Sequence, residues 1–270
     1  MQRIHGWTAA AVLAGVVLVL LTGLAGCKSS DTVKQGNDGT AAEKPAALSA
    51  PLDPATLGAV GGTIRFAGKP PAPVKIDMSM DPVCSMTGGD NFAEQYAVHD
   101  GKLANVYVYI KSGPPAAMSA TAPASAPVVL DQVGCKYTPH VIALMRGGSV
   151  EFRNSDGTMH NIHTLPTASG SQSIDISQGA KGPPQIKQFN QPEVMIPVRC
   201  NNHPWMNAFI NVSATPFFAV TDAAGHFSIS GLPAGTYTLA AVHEKMGEQT
   251  MTVTVEPKGT AKVDFSFSAK

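Results

Sequence analysis

The sequence predicts an all-β protein. Glycine and proline are abundant, with 26 and 21 residues in a chain of 270, and they separate short apolar runs. Some of these runs alternate between apolar and polar side chains, as residues 62–68 do, which is the pattern of a strand with one buried face. Near the C-terminus, glycine-containing turns at residues 222–225 and 231–235 each lead into another strand-like run. Short strands separated by turn residues are typical of β-sandwiches and β-barrels.

The other elements follow in chain order. Residues 103–110, Leu-Ala-Asn-Val-Tyr-Val-Tyr-Ile, are expected to form one continuous strand. Residues 112–127, rich in proline, alanine and serine, are expected to connect two domains. Residues 148–154 form another strand-like run, whereas residues 169–184 are rich in glycine and serine and are predicted to be a long loop. Four further strands are expected within residues 217–268.

The N-terminus has the features of a bacterial export signal. A basic residue precedes an apolar run at residues 8–21, which is too short to span a membrane. The following Leu-Ala-Gly-Cys resembles the lipobox of bacterial lipoproteins, in which the chain is cut before a cysteine that receives a lipid. This resemblance implies a signal peptide at residues 1–26, a lipid on Cys27 and a place in the periplasm or at the cell surface. Lys28 favours the outer membrane, and an ordinary signal peptide cut elsewhere is the alternative.

The composition after the signal restricts structure and partners. Residues 27–57 are mostly small and polar, so they cannot bury enough apolar surface to fold and are expected to form a flexible tether. In the whole chain, basic and acidic residues number 19 each, and no basic patch stands out, so nucleic acid is not an expected partner. With so little net charge, a protein partner would be found mainly through an apolar patch.

The most informative stretch is residues 200–206, Cys-Asn-Asn-His-Pro-Trp-Met. Cys200, His203 and Met206 place a thiolate, an imidazole and a thioether at positions i, i+3 and i+6. Soft ligands of this kind suit copper cycling between its +1 and +2 states, whereas zinc sites do not use a thioether. Pro204 lacks a backbone N–H and favours an extended conformation at His203. The stretch therefore predicts a tight ligand loop after a strand.

A blue-copper centre needs a second histidine, and His160 is the best candidate because its segment, Met-His-Asn-Ile-His, follows the strand-like run at residues 148–154. The two segments resemble the copper-binding loops of cupredoxins, and the Cys-x2-His-x2-Met spacing is that of the amicyanin type. The resemblance covers about residues 128–213 and implies a Greek-key β-sandwich, with residues 128–139 as its first strand. By this resemblance, one copper ion is held by His160, Cys200, His203 and Met206.

Three asparagines are expected to form hydrogen bonds around these ligands, namely Asn161, Asn201 and Asn202. Amicyanin-like loops commonly have proline two residues after the cysteine, where this chain has Asn202. Because Asn202 retains a backbone N–H, it can donate to the sulfur of Cys200.

The outer edge of His203 is expected to exchange electrons within an apolar docking patch formed by Met159, Pro204 and Trp205. His163 lies three residues after His160 and should point to the opposite face of a strand. It is therefore expected not to be a ligand.

Two cysteines remain after the lipid and copper assignments. In an oxidising compartment, a disulfide between Cys84 and Cys135 is the economical interpretation. The alternative is a second copper(I) site formed by Met78, Met80, Cys84 and Met86, although methionines more often fill gaps in a core.

Residues 216–270 resemble another family. The pattern Gly-x-Phe-x-Ile-x-Gly-Leu-Pro-x-Gly-x-Tyr-x-Leu, which begins at Gly225, resembles the small β-sandwich called the carboxypeptidase regulatory-like domain. The segment is short for that domain, and residues 61–71 and 104–110 resemble its missing first strands. His226 and His243 are expected at the surface of this sandwich.

The preferred hypothesis is therefore one sandwich split between residues 58–127 and residues 216–270. A cupredoxin-like domain at residues 128–215 would be inserted between its two halves. Two separate domains in series are the alternative.

The copper ligands imply an electron carrier. Amicyanins exchange electrons with an amine dehydrogenase and a c-type cytochrome, so a c-type cytochrome or a dehydrogenase is the implied partner class, and a copper-buffering or delivery module is the alternative function. Copper enzymes of this fold pass electrons along a histidine beside the ligand cysteine, but here the neighbours are Arg199 and Asn201. No His-x-His pair and no constellation of catalytic acid, base or nucleophile stands out, so an enzyme is not expected.

Overall fold

The structure is a computed structural model that describes residues 52–87, 91–123 and 125–269. The predicted signal peptide, Cys27 and most of the predicted tether lie outside the described residues. The regular secondary structure of the described part is almost entirely β-strand, so the predicted all-β class is confirmed. Among these residues, no helix has both the length and the apolar character needed to cross a membrane.

The elements alternate short strands with tight turns, and both helices are single turns. In chain order they are β1 (Gly58–Phe66), α1 (Pro82–Ser85), β2 (Val98–His99), β3 (Lys102–Leu103), β4 (Tyr107–Ser112), α2 (Pro115–Met118), β5 (Val128–Val133), β6 (Lys136–Thr138), β7 (Val141–Met145), β8 (Ser149–Asn154), β9 (His160–Thr164), β10 (Asp175–Gln178), β11 (Gln185–Gln188), β12 (Glu193–Arg199), β13 (Asn207–Ser213), β14 (Phe218–Val220), β15 (His226–Leu232), β16 (Gly235–His243), β17 (Gly247–Val255), β18 (Thr260–Lys262) and β19 (Phe265–Phe267).

An outer sandwich is built from both ends of the described chain. In one of its sheets, β1 pairs antiparallel with β15, where Val60 lies opposite Ile229, and pairs parallel with β18 and β19. In the other sheet the order is β14-β4-β16-β17, and Val108 of β4 lies opposite Ala241 of β16. In both sheets, strands from before residue 113 therefore pair with strands from after residue 217, which is the pairing that a split sandwich requires.

The inner sandwich contains the strands β5 to β13. Its two sheets have the orders β11-β8-β5-β6 and β10-β9-β12-β13-β7. The pairs β5–β8 and β13–β7 are parallel, and the other pairs are antiparallel. This arrangement forms the cupredoxin-like sandwich. In it β9, which begins with the predicted ligand His160, is a neighbour of β12, which ends just before Cys200.

Each sandwich has its own apolar core. In β15, buried Phe227 and Ile229 alternate with exposed residues, so the strand presents one face to the outer core. In a third, small cluster, Met78, Cys84 and Cys135 are buried against Trp205. The largest buried side chains of the inner core include Tyr137, Phe152, Leu130, Ile162, Met206 and Ile210.

The predicted continuous strand at residues 103–110 is wrong. The chain leaves β3 at Leu103, has a positive φ of 62° at Asn105, and enters β4 at Tyr107. β3 and β4 belong to different sheets of the outer sandwich. The apolar pattern continues through the break because both sheets face the same core, so periodicity alone could not locate the crossing.

Three other predictions need correction. Residues 128–139 form the hairpin β5–β6, because Gly134 and Cys135 both adopt positive φ and turn the chain. The predicted loop at residues 169–184 contains β10, a strand at the sheet edge that pairs with β9. The connector at residues 112–127 includes the helical turn α2.

The two histidines expected at the surface of the outer sandwich behave differently. His226 is exposed at the start of β15, as expected. His243, by contrast, is only 2% exposed, and its ring lies 5.9 Å from that of Tyr96 and 6.3 Å from that of Phe267. The prediction for His243 is therefore wrong, because the ring fills an aromatic pocket at the end of β16.

Candidate metal centre

The predicted copper ligands lie at the ends of adjacent strands. His160 begins β9, Cys200 directly follows β12, and His203 and Met206 lie in the loop before β13. Two backbone hydrogen bonds close this loop: Met206 N–H donates to the carbonyl of His203 at 3.0 Å, and Cys200 N–H donates to that of Met206 at 3.4 Å. The tight loop therefore returns Met206 to the core that contains Cys200.

The donor atoms of His160, Cys200 and His203 converge within 4.8 Å of one another. The Nδ1 atoms of His160 and His203 are 2.9 Å apart, and Cys200 Sγ lies 3.6 Å from Nδ1 of His203. All three side chains are buried, and Met206 is 1% exposed. Three of the four predicted ligands thus present donor atoms to one point, with the fourth packed in the same core.

Each of the two histidines has a carboxylate at its outer nitrogen. His160 Nε2 lies 2.9 Å from Asp156 Oδ2, and His203 Nε2 lies 3.1 Å from Asp81 Oδ2. An ionised carboxylate can only accept, so both Nε2 atoms donate, and in neutral imidazole this leaves a lone pair on Nδ1. Neither aspartate was predicted from the sequence. Asp156 lies only four residues before His160, so its position could have indicated the contact, whereas Asp81 is far from every predicted ligand in the chain.

The charges in the site are coupled. Burial lowers the pKa of His160, but the hydrogen bonds to Asp156 and the sulfur of Cys200 outweigh it and raise that pKa to about 9. Burial raises the pKa of Cys200, but hydrogen bonds from His160 and from the backbone N–H groups of Asn202 and Asn161 lower it to about 6. Without metal, the cluster is therefore a thiolate beside an imidazolium, with a proton of His160 among the donor atoms.

The predicted asparagines connect the ligand segments. Asn161 Oδ1 accepts from the N–H of Asn201 at 3.0 Å, so β9 is tied to the ligand loop. The backbone N–H groups of Asn161 and Asn202 both reach the sulfur of Cys200. Asn201 Oδ1 accepts from Nδ1 of His163 at 3.0 Å, and His163 stands apart from the converging donors, as its spacing predicted.

The predicted docking patch is only partly present. Met159 is 50% exposed and Pro204 is exposed, but His203 itself is only 4% exposed. Trp205 is half-buried, and its Nε1–H donates to the carbonyl of Cys135 at 3.0 Å. The expectation that the edge of His203 faces a partner directly is therefore wrong.

The cover over His203 is formed by residues 76–87, which we call the covering segment. It contains α1 and precedes β2 of the outer sandwich in the chain. Its Asp81 carboxylate and the sulfur of Cys84 lie 3.1 Å and 3.9 Å from Nε2 of His203. Sequence patterns could not reveal this contact because it joins positions 122 residues apart.

Cys84 is joined to Cys135 in a disulfide, and Cys200 is the free cysteine among the described residues. The alternative copper(I) site with Cys84 is thus wrong, because a disulfide sulfur is not a thiolate. Met78 is buried, whereas Met80 and Met86 are 71% and 76% exposed. The disulfide also excludes two other candidate metal sites, because their cysteines are not free thiolates. One combines Asp81, Cys84 and His203, and the other combines Cys84, Cys135 and His160.

The donors that remain fit copper. Two imidazoles, a thiolate and a buried thioether match the ligand preferences of a blue-copper centre, and carboxylates orient both imidazoles. A zinc site would not use the thioether.

Comparisons with known proteins give two kinds of similarity. Residues 198–268 match the family model of the carboxypeptidase regulatory-like domain, beginning ahead of the predicted boundary at residue 216. No curated protein matches the chain. Among solved structures, a copper(I) form of an amicyanin variant is similar at 20% identity and a TM-score of 0.30, over 39% of this chain and 98% of that one.

Two further solved structures are similar to part of the chain. A purple cupredoxin from Nitrosopumilus maritimus matches at 19% identity and a TM-score of 0.27, over 32% of this chain and 99% of that one. A copper-containing nitrite reductase from Thermus scotoductus SA-01 matches at 25% identity and a TM-score of 0.30, over 35% of this chain. The match spans 24% of the nitrite reductase.

Proposed function

We propose that the chain is a type 1 copper protein that carries single electrons between redox partners outside the cytoplasm. The observation that supports this proposal is the convergence of His160 Nδ1, His203 Nδ1 and Cys200 Sγ beside buried Met206. Copper bound by such a set supplies one-electron redox chemistry. The proposal is for a carrier and not an enzyme, since Arg199 and Asn201 offer no histidine route to a second copper.

The residues around the site would keep the ligands fixed in both redox states. Asp156 and Asp81 hold the outer nitrogens of the histidines, and two backbone N–H groups hold the sulfur of Cys200. Burial of the ligands excludes water from the site. A site that rearranges little between two redox states favours fast electron exchange.

The proposed partner is a redox protein such as a c-type cytochrome or a dehydrogenase. Because His203 is covered, the partner would contact the outside of the covering segment together with Met159 and Pro204, and electrons would pass through that layer. Weak redox encounters use small contact areas of this kind. A lipid on Cys27 would hold the chain at a membrane outside the cytoplasm, where a disulfide persists.

Copper buffering or delivery is a second candidate. The burial of His203 favours it over the carrier, because the covered imidazole is not presented directly to an electron-transfer partner. Stopped-flow mixing with a reduced c-type cytochrome separates the two. Fast oxidation of the cytochrome supports the carrier, whereas slow oxidation combined with copper transfer to an acceptor protein supports the buffer.

The visible absorption spectrum of copper-loaded protein tests the site itself. Wild type should be intensely coloured through the Cys200 thiolate, and Cys200→Ser should lose the colour while it keeps the fold. His160→Ala should change the spectrum, and the matched variant His163→Ala should leave it nearly unchanged. One bound copper(II) without a thiolate-to-copper band would refute the proposal, and the reverse ranking of the histidine variants would move the ligand to His163.

A further inference from the structure

Asp81 has two separate sets of hydrogen bonds. Its Oδ1 caps α1 by accepting from the N–H groups of Val83 at 2.7 Å and Cys84 at 3.3 Å. Its Oδ2 accepts from Thr158 Oγ1 at 2.8 Å and from His203 Nε2 at 3.1 Å. One oxygen therefore organises the covering segment, and the other faces a predicted copper ligand.

The disulfide holds this arrangement in place. A single helical turn such as α1 is not stable alone, but Cys84 within it is bonded to Cys135 of the inner sandwich. The N–H groups of Gly134 and Cys135 donate to Asp156, which in turn accepts from His160. The disulfide thus links the segment that contains Asp81, which contacts His203, to the turn that binds Asp156, which contacts His160.

We propose that Asp81 is a positioning residue for the copper ligand His203, supplied from outside the cupredoxin-like sandwich and clamped by the disulfide. Its carboxylate accepts from Nε2 of His203 and so keeps the Nδ1 lone pair directed at the metal position. The inner sandwich alone, residues 128–215, lacks this carboxylate. The inference rests on the proposed copper function, because His203 is a ligand only if copper binds. The effect of Asp81 on the tautomer of His203 can nevertheless be measured without copper.

A purely structural role for Asp81, as the cap of α1, is the competing explanation. Asp81→Asn separates the two, because asparagine caps a helix about as well as aspartate through Oδ1. The amide group that replaces Oδ2 would point an N–H at the N–H of His203. The imidazole should respond by moving its proton to Nδ1, the atom that binds metal.

Asp77→Asn is the matched control. Asp77 lies in the same covering segment and is exposed. It accepts from the N–H of Ser79 at 2.9 Å and also interacts with the side chain of Ser79. The substitution makes the same chemical change without altering the ligand's partner.

The experiment uses the full chain in two measurements. In copper-free protein, ¹⁵N NMR of the imidazoles should find His203 protonated at Nε2 in wild type and Asp77→Asn, and shifted toward Nδ1 protonation in Asp81→Asn. Competition for copper(I) with a chromophoric chelator should find binding weakened by about 10- to 100-fold in Asp81→Asn, the range for partners of metal ligands, and unchanged in the control. Circular dichroism and a thiol count should show that the fold and the disulfide persist.

An unchanged tautomer and unchanged copper(I) affinity in Asp81→Asn would overturn the inference. If that variant does not fold, Asp81→Ser replaces it, because serine caps the helix but does not reach His203. The tautomer of His203 and the copper(I) affinity are then measured in that variant and judged in the same way. If wild type gives no thiolate-to-copper band, the proposed function fails, while the NMR comparison still decides whether Asp81 sets the tautomer of His203.

Discussion

The backbone N–H of Asn202, which donates to the sulfur of Cys200, is the residue-scale feature that should set the reduction potential. A hydrogen bond withdraws electron density from the thiolate, and this stabilises copper(I) relative to copper(II). Asn202→Pro removes that donor. A hydrogen bond to a charged group contributes about 1.5–3 kcal/mol, but only its difference between the two redox states counts, so the potential should fall by some tens of millivolts.

Voltammetry on copper-loaded protein at one pH measures this shift. Asn202→Ala is the control, because it removes the side chain and keeps the N–H, so its potential should remain near that of wild type. A proline variant that stays coloured and has an equal or higher potential would contradict the assignment.

The cysteines give a second residue-scale prediction. In a chain with Cys27 replaced by serine, thiol titration of denatured, unreduced, copper-free protein should find one thiol, that of Cys200. Three thiols would show that Cys84 and Cys135 are not bonded in the purified protein.

Local sequence was sufficient to predict three side chains whose donor atoms converge, and insufficient to predict the groups that contact them. Cys200, His203 and Met206 share one short loop, so their spacing alone indicates a common centre. Asp81 and Asp156 approach the histidines from other segments, and Asp81 depends on a segment that folds over the site from far away in the chain. The covering of His203 was missed for the same reason.

At the scale of elements, the end of β16 carries a pH-sensitive histidine. Burial of His243 lowers its pKa from 6.5 to about 4, against the opposing charge of Glu244 and with smaller effects of His140 and Lys245. The unfolded chain therefore binds more protons than the folded one between these pH values. The contribution to stability is fully present above pH 6.5 and is lost as the pH falls toward 4, by up to ~3 kcal/mol.

Chemical denaturation at several pH values between 4 and 7 checks this prediction. His243→Gln removes the titrating group, so its free energy of unfolding should fall less steeply than that of wild type. His226→Gln is the control, because His226 is exposed at the start of β15, and it should retain the wild-type slope. Equal slopes for wild type and His243→Gln would show that the buried imidazole does not resist protonation.

The disulfide between α1 and the β5–β6 turn should be a main support of the covering segment. It links positions 51 residues apart, and closing a loop of that length stabilises the folded state by ~4 kcal/mol in the chain-entropy account. The double variant Cys84→Ser with Cys135→Ser should unfold at lower denaturant concentration by a corresponding amount. A midpoint and slope equal to those of wild type would contradict this role.

Strands were predicted correctly where apolar and polar side chains alternate. They were missed where a strand is held by backbone pairing and buries few side chains. β8 and β15 were located because one face of each is apolar. β10 was taken for a loop because it lies at a sheet edge and is mostly polar, so its backbone pairing with β9 leaves little trace in the side chains. The crossing between β3 and β4 was hidden because both strands face one core.

At the scale of the whole molecule, the split sandwich makes the two halves of the described chain depend on each other. Thr63 N–H donates to Asp264 at 2.8 Å across 201 positions, and β1 pairs with three strands of the later half, β15, β18 and β19. The inner sandwich has its own core and pairs its strands within residues 128–213. The hypothesis of a split sandwich came from the resemblance of residues 61–71 and 104–110 to strands that residues 216–270 lack.

The same topology governs the order in which the protein can form as it is synthesised. β1 emerges early and cannot gain its β15 partner until after the ligand loop has been made, whereas residues 128–213 can fold as soon as they are complete. During that interval the early strands have exposed edges and apolar faces, which are prone to aggregation. Pairing of such distant segments also slows folding. Export in an unfolded state, or a chaperone that protects these strands until the C-terminus arrives, would suit a chain with this architecture.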